Sequence, residues 1–132
     1  MRFKLVLDLQ EGFAAIRAFC LKLIIFMCMV GQVSANDTII TNRSDFENLV
    51  IEKKLKRFLI SLSVTNDGKI KGSAAGRNVT GDWDWIDGFF CRTLLWGKRE
   101  LKYNCQQVTF DGKKLRFISD RGKGQSASFA LR

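Results

Sequence analysis

The sequence predicts a mainly β (α+β) protein: an antiparallel meander forming a curved sheet or small up-and-down barrel, with one N-terminal helix and one disulfide. Three observations carry this. Apolar residues alternate with period two through most of residues 58–131, the pattern of half-buried strands. Turn formers recur between these runs, as Asn66-Asp67-Gly68, Asp87-Gly88, Asp111-Gly112 and Gly122-Lys123-Gly124, and such residues tolerate the positive φ of tight hairpins. One stretch alone, Ser44-Asp45-Phe46-Glu47, reads as a helix start.

In chain order, Thr38-Ile39-Ile40-Thr41 is a short edge strand. Ser44 caps a helix of about Asp45 to Lys54 and Glu47 reaches back to complete the capping box, with Phe46, Leu49, Val50 and Leu55 on its apolar face. Lys53, Lys54, Lys56 and Arg57 fall at the helix end, where cations oppose the helix dipole. Phe58, Ile60, Leu62 and Val64 alternate along one strand, and Lys69 to Ala74 returns as the next. Val79, Gly81, Trp83 and Trp85 share a face of the third. Residues 89–110 form a hairpin, Leu115 and Phe117 a further strand, and Ala127, Phe129 and Leu131 the last. The count is about seven strands at roughly 8–12-residue spacing. A sheet of this length closes or folds over to hide its edges.

The hairpin turns at Gly97-Lys98-Arg99. This register faces Cys91 with Cys105, Thr93 with Tyr103, Leu95 with Leu101 and Phe89 with Gln107. These eight share the more apolar face, so they are expected to point inward, leaving Phe90, Arg92 and Trp96 outside. A disulfide between Cys91 and Cys105 closes a loop of about 15 residues, worth about 3 kcal/mol in the chain-entropy account.

Residues 1–35 read as a signal peptide and 36–132 as a small secreted β domain. Arg2, Lys4, Arg17 and Lys22 precede the apolar run Leu23 to Val30, and Val33-Ser34-Ala35 places small residues before Asn36. That order directs export with cleavage after Ala35, and the run is too short to span a bilayer. The mature chain then carries 18 basic and 11 acidic residues, a net charge of +7, and keeps two of the four Cys. An even number of Cys fits an oxidising compartment. The positive balance suits an anionic neighbour.

The chain contains no His, which excludes Ser-His-Asp and Cys-His nucleophile systems and the common His-ligated zinc sites. Gly122-Lys123-Gly124-Gln125-Ser126 lies between strands and reads as a turn, not a phosphate loop. Asp82, Asp84 and Asp87 form an acidic cluster that could serve acid–base chemistry or Ca²⁺; the simpler reading is the solvated face opposite Trp83 and Trp85. No catalytic residue, metal site or cofactor is assigned. Trp83, Trp85, Phe89, Tyr103 and Phe117 are the candidate lining of a pocket for an apolar ligand. Phe90, Arg92, Trp96 and Arg121 are the candidate surface for a partner.

Three stretches carry a resemblance. They are Thr80-Gly81-x-Trp83-x-Trp85-x-Asp87-Gly88-x-Phe90-Cys91-Arg92, Tyr103-Asn104-Cys105-Gln106, and Leu115-Arg116-Phe117-x-Ser119-Asp120-Arg121-Gly122-x-Gly124-x-Ser126-Ala127. Over most of the mature chain this resembles a family of small secreted proteins from marine alphaproteobacteria, which implies a periplasmic or secreted location. Its members often carry the name dihydrodipicolinate reductase. That reductase has a Rossmann glycine motif and a His-His motif, neither of which stands in this sequence.

The first expectation is therefore a non-enzymatic binding module for an apolar ligand or an anionic envelope component. The alternatives are a periplasmic inhibitor or interaction protein acting on a hydrolase, and an enzyme. A protein partner is compatible with either of the first two, nucleic acid is not expected, and the mature chain does not span a membrane. The intact mass of exported protein is expected to match residues 36–132 with both Cys oxidised; a mass retaining residues 1–35 would contradict the processing.

Overall fold

The computed structural model describes residues 36–132; the signal peptide expected for 1–35 lies outside the described residues. Nine strands and one regular helix are present among them. The helix α1 (Arg43–Val50) follows β1 (Thr38–Ile40). The rest is β2 (Lys54–Arg57), β3 (Ile60–Val64), β4 (Lys69–Ala74), β5 (Arg77–Ile86), β6 (Phe89–Trp96), β7 (Arg99–Phe110), β8 (Lys114–Ile118) and β9 (Ser126–Leu131). Consecutive strands from β2 to β9 pair antiparallel, and β2 pairs with β9. The result is a closed eight-stranded barrel with β1 added beside β7. Closure removes the free sheet edges.

Helix α1 plugs one end. Asn42, not Ser44, is its N-cap: Asn42 Oδ1 accepts from the Asp45 amide at 2.9 Å, and Ser44 Oγ donates to the same oxygen. Glu47 does not reach back, because the Arg43 side chain takes it at 2.8 Å. The helix stops at Val50 rather than Lys54. Lys54-Leu55-Lys56-Arg57 instead pairs with both β3 and β9, so two ladders outweigh one more helical turn. The strand expected from Phe58 to Thr65 is present as β3 over Ile60–Val64, and its first two residues, Phe58-Leu59, form the β2–β3 turn with Leu59 at φ 58°.

Phe46 and Val50 are fully buried. The Phe46 ring lies 5.4 Å from Trp83, 5.2 Å from Trp85, 5.1 Å from Phe90 and 6.2 Å from Phe117, centroid to centroid. Edge-to-face and offset pairs at such distances add to the apolar burial. Arg43 locks the plug down. Its guanidinium stacks 4.8 Å from the Trp83 ring and pairs with Glu47 and Asp84, each at 2.8 Å. Each indole N–H has a carbonyl: Trp83 donates to Thr65, Trp85 to Thr41 and Trp96 to Ala74.

The Cys91–Cys105 disulfide is present, with Cα atoms 3.9 Å apart. The rest of the expected hairpin register holds only near it. The turn is the two-residue Gly97-Lys98, and a bulge on β7 sets Lys102 and Tyr103 against Thr93 alone. Leu101 consequently faces Leu94, and Leu95 faces Glu100.

The inward face is also the reverse of the expected one. Phe90 is 4% exposed and Tyr103 59% exposed. The cause is β5, whose two-residue turn Asp87-Gly88 pairs Trp85 with Phe90 and Trp83 with Arg92. Cross-strand neighbours share a face, so the inward tryptophans carry Phe90, Arg92, Leu94 and Trp96 inward with them.

In the β7–β8 turn, the amides of Lys114 and Lys113 donate to Asp111 Oδ1 and hold its carboxyl below the ordinary value of 3.8. The Thr65 hydroxyl does the same for Asp67. Lowered carboxyls stabilise the fold above their ordinary value and lose that contribution as pH falls from there through the lowered value of the folded state. Without His, the urea midpoint is expected to stay flat from about pH 5 to 8 and to drop below about pH 4. Phe46→Ala is expected to cost about 3–5 kcal/mol in urea denaturation and Tyr103→Ala less than about 1 kcal/mol. Equal losses would contradict the assigned faces.

Candidate functional site

Between the aromatic cluster and the far end of the barrel lies a cavity of about 170 Å³. Leu55, Leu62, Val64 and Ile70 line it from β2, β3 and β4. Phe90, Arg92 and Leu94 line it from β6, with Gln106, Phe117, Ala127 and Phe129 completing the ring. Exposure rises along these strands away from the helix. Val64 and Phe90 are buried, whereas Leu62, Arg92, Leu94 and Trp96 are half-buried. The cavity therefore approaches solvent at the end opposite α1.

Arg92 is the one charged side chain lining it. Its Nη1 donates to the Lys102 carbonyl at 2.9 Å, within the bulged stretch of β7. No carboxylate among the described residues forms an ion pair with it. Its pKa is lowered from the usual arginine value by burial alone, with no acid offsetting the desolvation. An arginine has five N–H donors in a planar fork, so most of this fork is left for another partner. Position is enforced from both sides. The Cys91–Cys105 bond pins the adjacent register, Asn104 stands opposite Arg92, and the Asn104 amide exchanges hydrogen bonds with Asp120 at 2.7 and 3.0 Å.

Of the residues expected to line a pocket, Phe117 does so. Trp83 and Trp85 pack around Phe46 at the closed end. Phe89 and Tyr103 lie on the outer face, reversed with the hairpin. The expected surface set disperses. Phe90 and Arg92 point into the cavity, and Trp96 faces inward under the Arg77 guanidinium, 5.0 Å from its ring. Arg121 alone stays on the outer surface, 5.3 Å from the Phe89 ring. The sequence reading missed Leu55, Leu62, Leu94, Gln106 and Phe129 as lining. A register count from Asp87-Gly88, instead of from the more distant Gly97, would have turned Arg92 inward.

Asp82 and Asp84 face outward and are engaged, Asp82 by Lys69 at 2.5 Å and Asp84 by Arg43 at 2.8 Å. Among the described residues no cluster of three His, Cys, Asp or Glu has metal-binding geometry.

No family model, curated protein or solved structure matches the chain.

The half-buried guanidinium has a hydrogen bond to the Lys102 carbonyl but no carboxylate, so its desolvation is only partly offset. Replacing it with an apolar side chain of similar length removes that cost. Arg92→Met is expected to leave the denaturation midpoint unchanged or raise it; a clear fall would show that the side chain is structural.

Proposed function

We propose that this protein is a non-enzymatic binding module whose barrel takes a small apolar molecule bearing an anionic group. The single observation that carries the reading is Arg92, a guanidinium without a carboxylate partner set into an otherwise apolar cavity. Apolar walls supply affinity through area removed from water, and one placed polar group supplies orientation and selectivity. A planar guanidinium matches a carboxylate with two parallel N–H···O bonds.

The volume sets the scale. An apolar cavity of about 150 Å³ admits benzene, so 170 Å³ suits one aromatic ring or a short alkyl chain. Small aromatic or short-chain carboxylates are the ligand class. Export to the periplasm or beyond, the likeness to the secreted alphaproteobacterial family and a non-catalytic role belong to the same proposal. The disulfide, the N-terminal targeting pattern and the absence of His support them.

Calorimetric titration with benzoate or phenylacetate against benzamide tests the reading. The acids are expected to bind more tightly than the neutral amide. Arg92→Met is expected to weaken the acids about tenfold or more, the worth of a charge-assisted hydrogen bond, while changing benzamide little. Acid binding unchanged in Arg92→Met, or no binding of any of the three, would overturn it.

A further inference from the structure

The open end of the barrel carries an apolar tip in a basic setting. The β2–β3 turn is Phe58-Leu59, with Phe58 87% and Leu59 63% exposed. Leu59 stands at φ 58°, in a turn position that glycine or asparagine fills without strain. The neighbouring turns put smaller residues at their positive-φ positions, Ala75-Gly76 at β4–β5 and Gly97 of Gly97-Lys98 at β6–β7. The three tips are adjacent: the Ala75 amide donates to the Leu59 carbonyl and the Gly97 amide to the Asn78 carbonyl. Two large apolar side chains are thus presented to water at a hairpin turn whose backbone geometry favours small or polar ones.

The charge around this tip is mostly basic. The inward rows of β2, β5 and β7 end at this mouth in Arg57, Arg77 and Arg99, and Lys98 tops the third tip. Arg57 and Arg77 lie over the rings of Phe129 and Trp96. Glu100 and Asp120 are the acids on this side of the barrel. Of the eleven in residues 36–132, nine (Asp37, Asp45, Glu47, Glu52, Asp67, Asp82, Asp84, Asp87 and Asp111) fall on α1 and on the strand ends and turns of its side. Arg43, Lys53, Lys54, Lys69, Lys113, Lys114 and Arg132 lie on that same side, so the plug end is close to charge balance and the basic surplus of the barrel sits at the mouth.

We infer that the open end docks on an anionic lipid surface, with Phe58 and Leu59 entering the interface and Arg57, Arg77, Lys98 and Arg99 facing the headgroups. An aromatic–aliphatic pair flanked by cations is the composition of interfacial anchors, where buried apolar area and attraction to anionic lipid add together. The basic surplus at the mouth, against near balance at the plug, also orients the molecule, mouth down. The docking goes beyond the cavity reading and does not rest on it.

Co-sedimentation of the mature protein with phosphatidylcholine vesicles, with and without phosphatidylglycerol, tests this. Association is expected only with the anionic vesicles, and is expected to weaken with added salt. The double variant Phe58→Ser, Leu59→Gly is expected to bind roughly tenfold more weakly, the loss of about one buried Phe side chain. It is expected to be at least as thermally stable as the parent, because Gly relieves the left-handed position. Arg92→Met is expected to bind vesicles as the parent does, which separates docking from cavity occupancy. Equal binding by the double variant, binding to uncharged vesicles alone, or association with neither would overturn the inference.

Discussion

The insertion of Phe46 among Trp83, Trp85, Phe90 and Phe117 is the contact on which the rest of the molecule depends. A barrel of eight strands encloses an interior just wide enough for its own side chains or for one small ligand. Here the large rings gather at one end around a side chain delivered by the helix. That concentration empties the other end. Between that cluster and Trp96 at the mouth the inward rows are mostly Leu, Ala, Gln and Arg, which fill less space than the rings and leave the cavity. Plug and pocket are two results of one uneven distribution of aromatic volume.

The same unevenness explains how an arginine can sit inside a barrel. At the plugged end Arg92 would be sealed from water, and the desolvation cost would exclude it. Farther along β6 it remains half in contact with solvent while its stem crosses apolar walls. The β7 bulge provides the Lys102 carbonyl, and the disulfide fixes the register that aims the side chain. The group is held in place with most of its donors free, a preorganised arrangement that lowers the ordering cost of taking an anion.

Much of the architecture was legible in the sequence. Period-two alternation identified most of the strands, the Asp-Gly and Gly-Lys-Gly turns marked where they reverse, and Cys91 and Cys105 were correctly paired. The errors arose where two local rules competed. The Ser44–Glu47 pattern is a sound capping box, but Asn42 supplies the better-placed oxygen and Arg43 removes Glu47. The basic run after the helix looks helical by composition, yet its single apolar residue, Leu55, suffices for a short barrel strand whose other inward residue, Arg57, reaches the mouth. The hairpin face was judged on its own composition, in which Cys, Leu and Tyr outweigh Arg and Trp. Burial was decided by β5, through ladder partners that a hairpin read in isolation does not contain. That one inversion moved the site, because it exchanged Arg92 and Phe90 for Phe89 and Tyr103.

The central claim is that the Arg92 guanidinium and the apolar cavity beside it form one ligand site. Its most direct test is a crystal structure of the protein soaked with 4-bromobenzoate, with the bromine located by anomalous scattering. The account predicts bromine among Leu62, Phe90 and Phe129, with the carboxylate within hydrogen-bond distance of Arg92. Bromine found only on the outer surface, with the cavity unfilled, would contradict it.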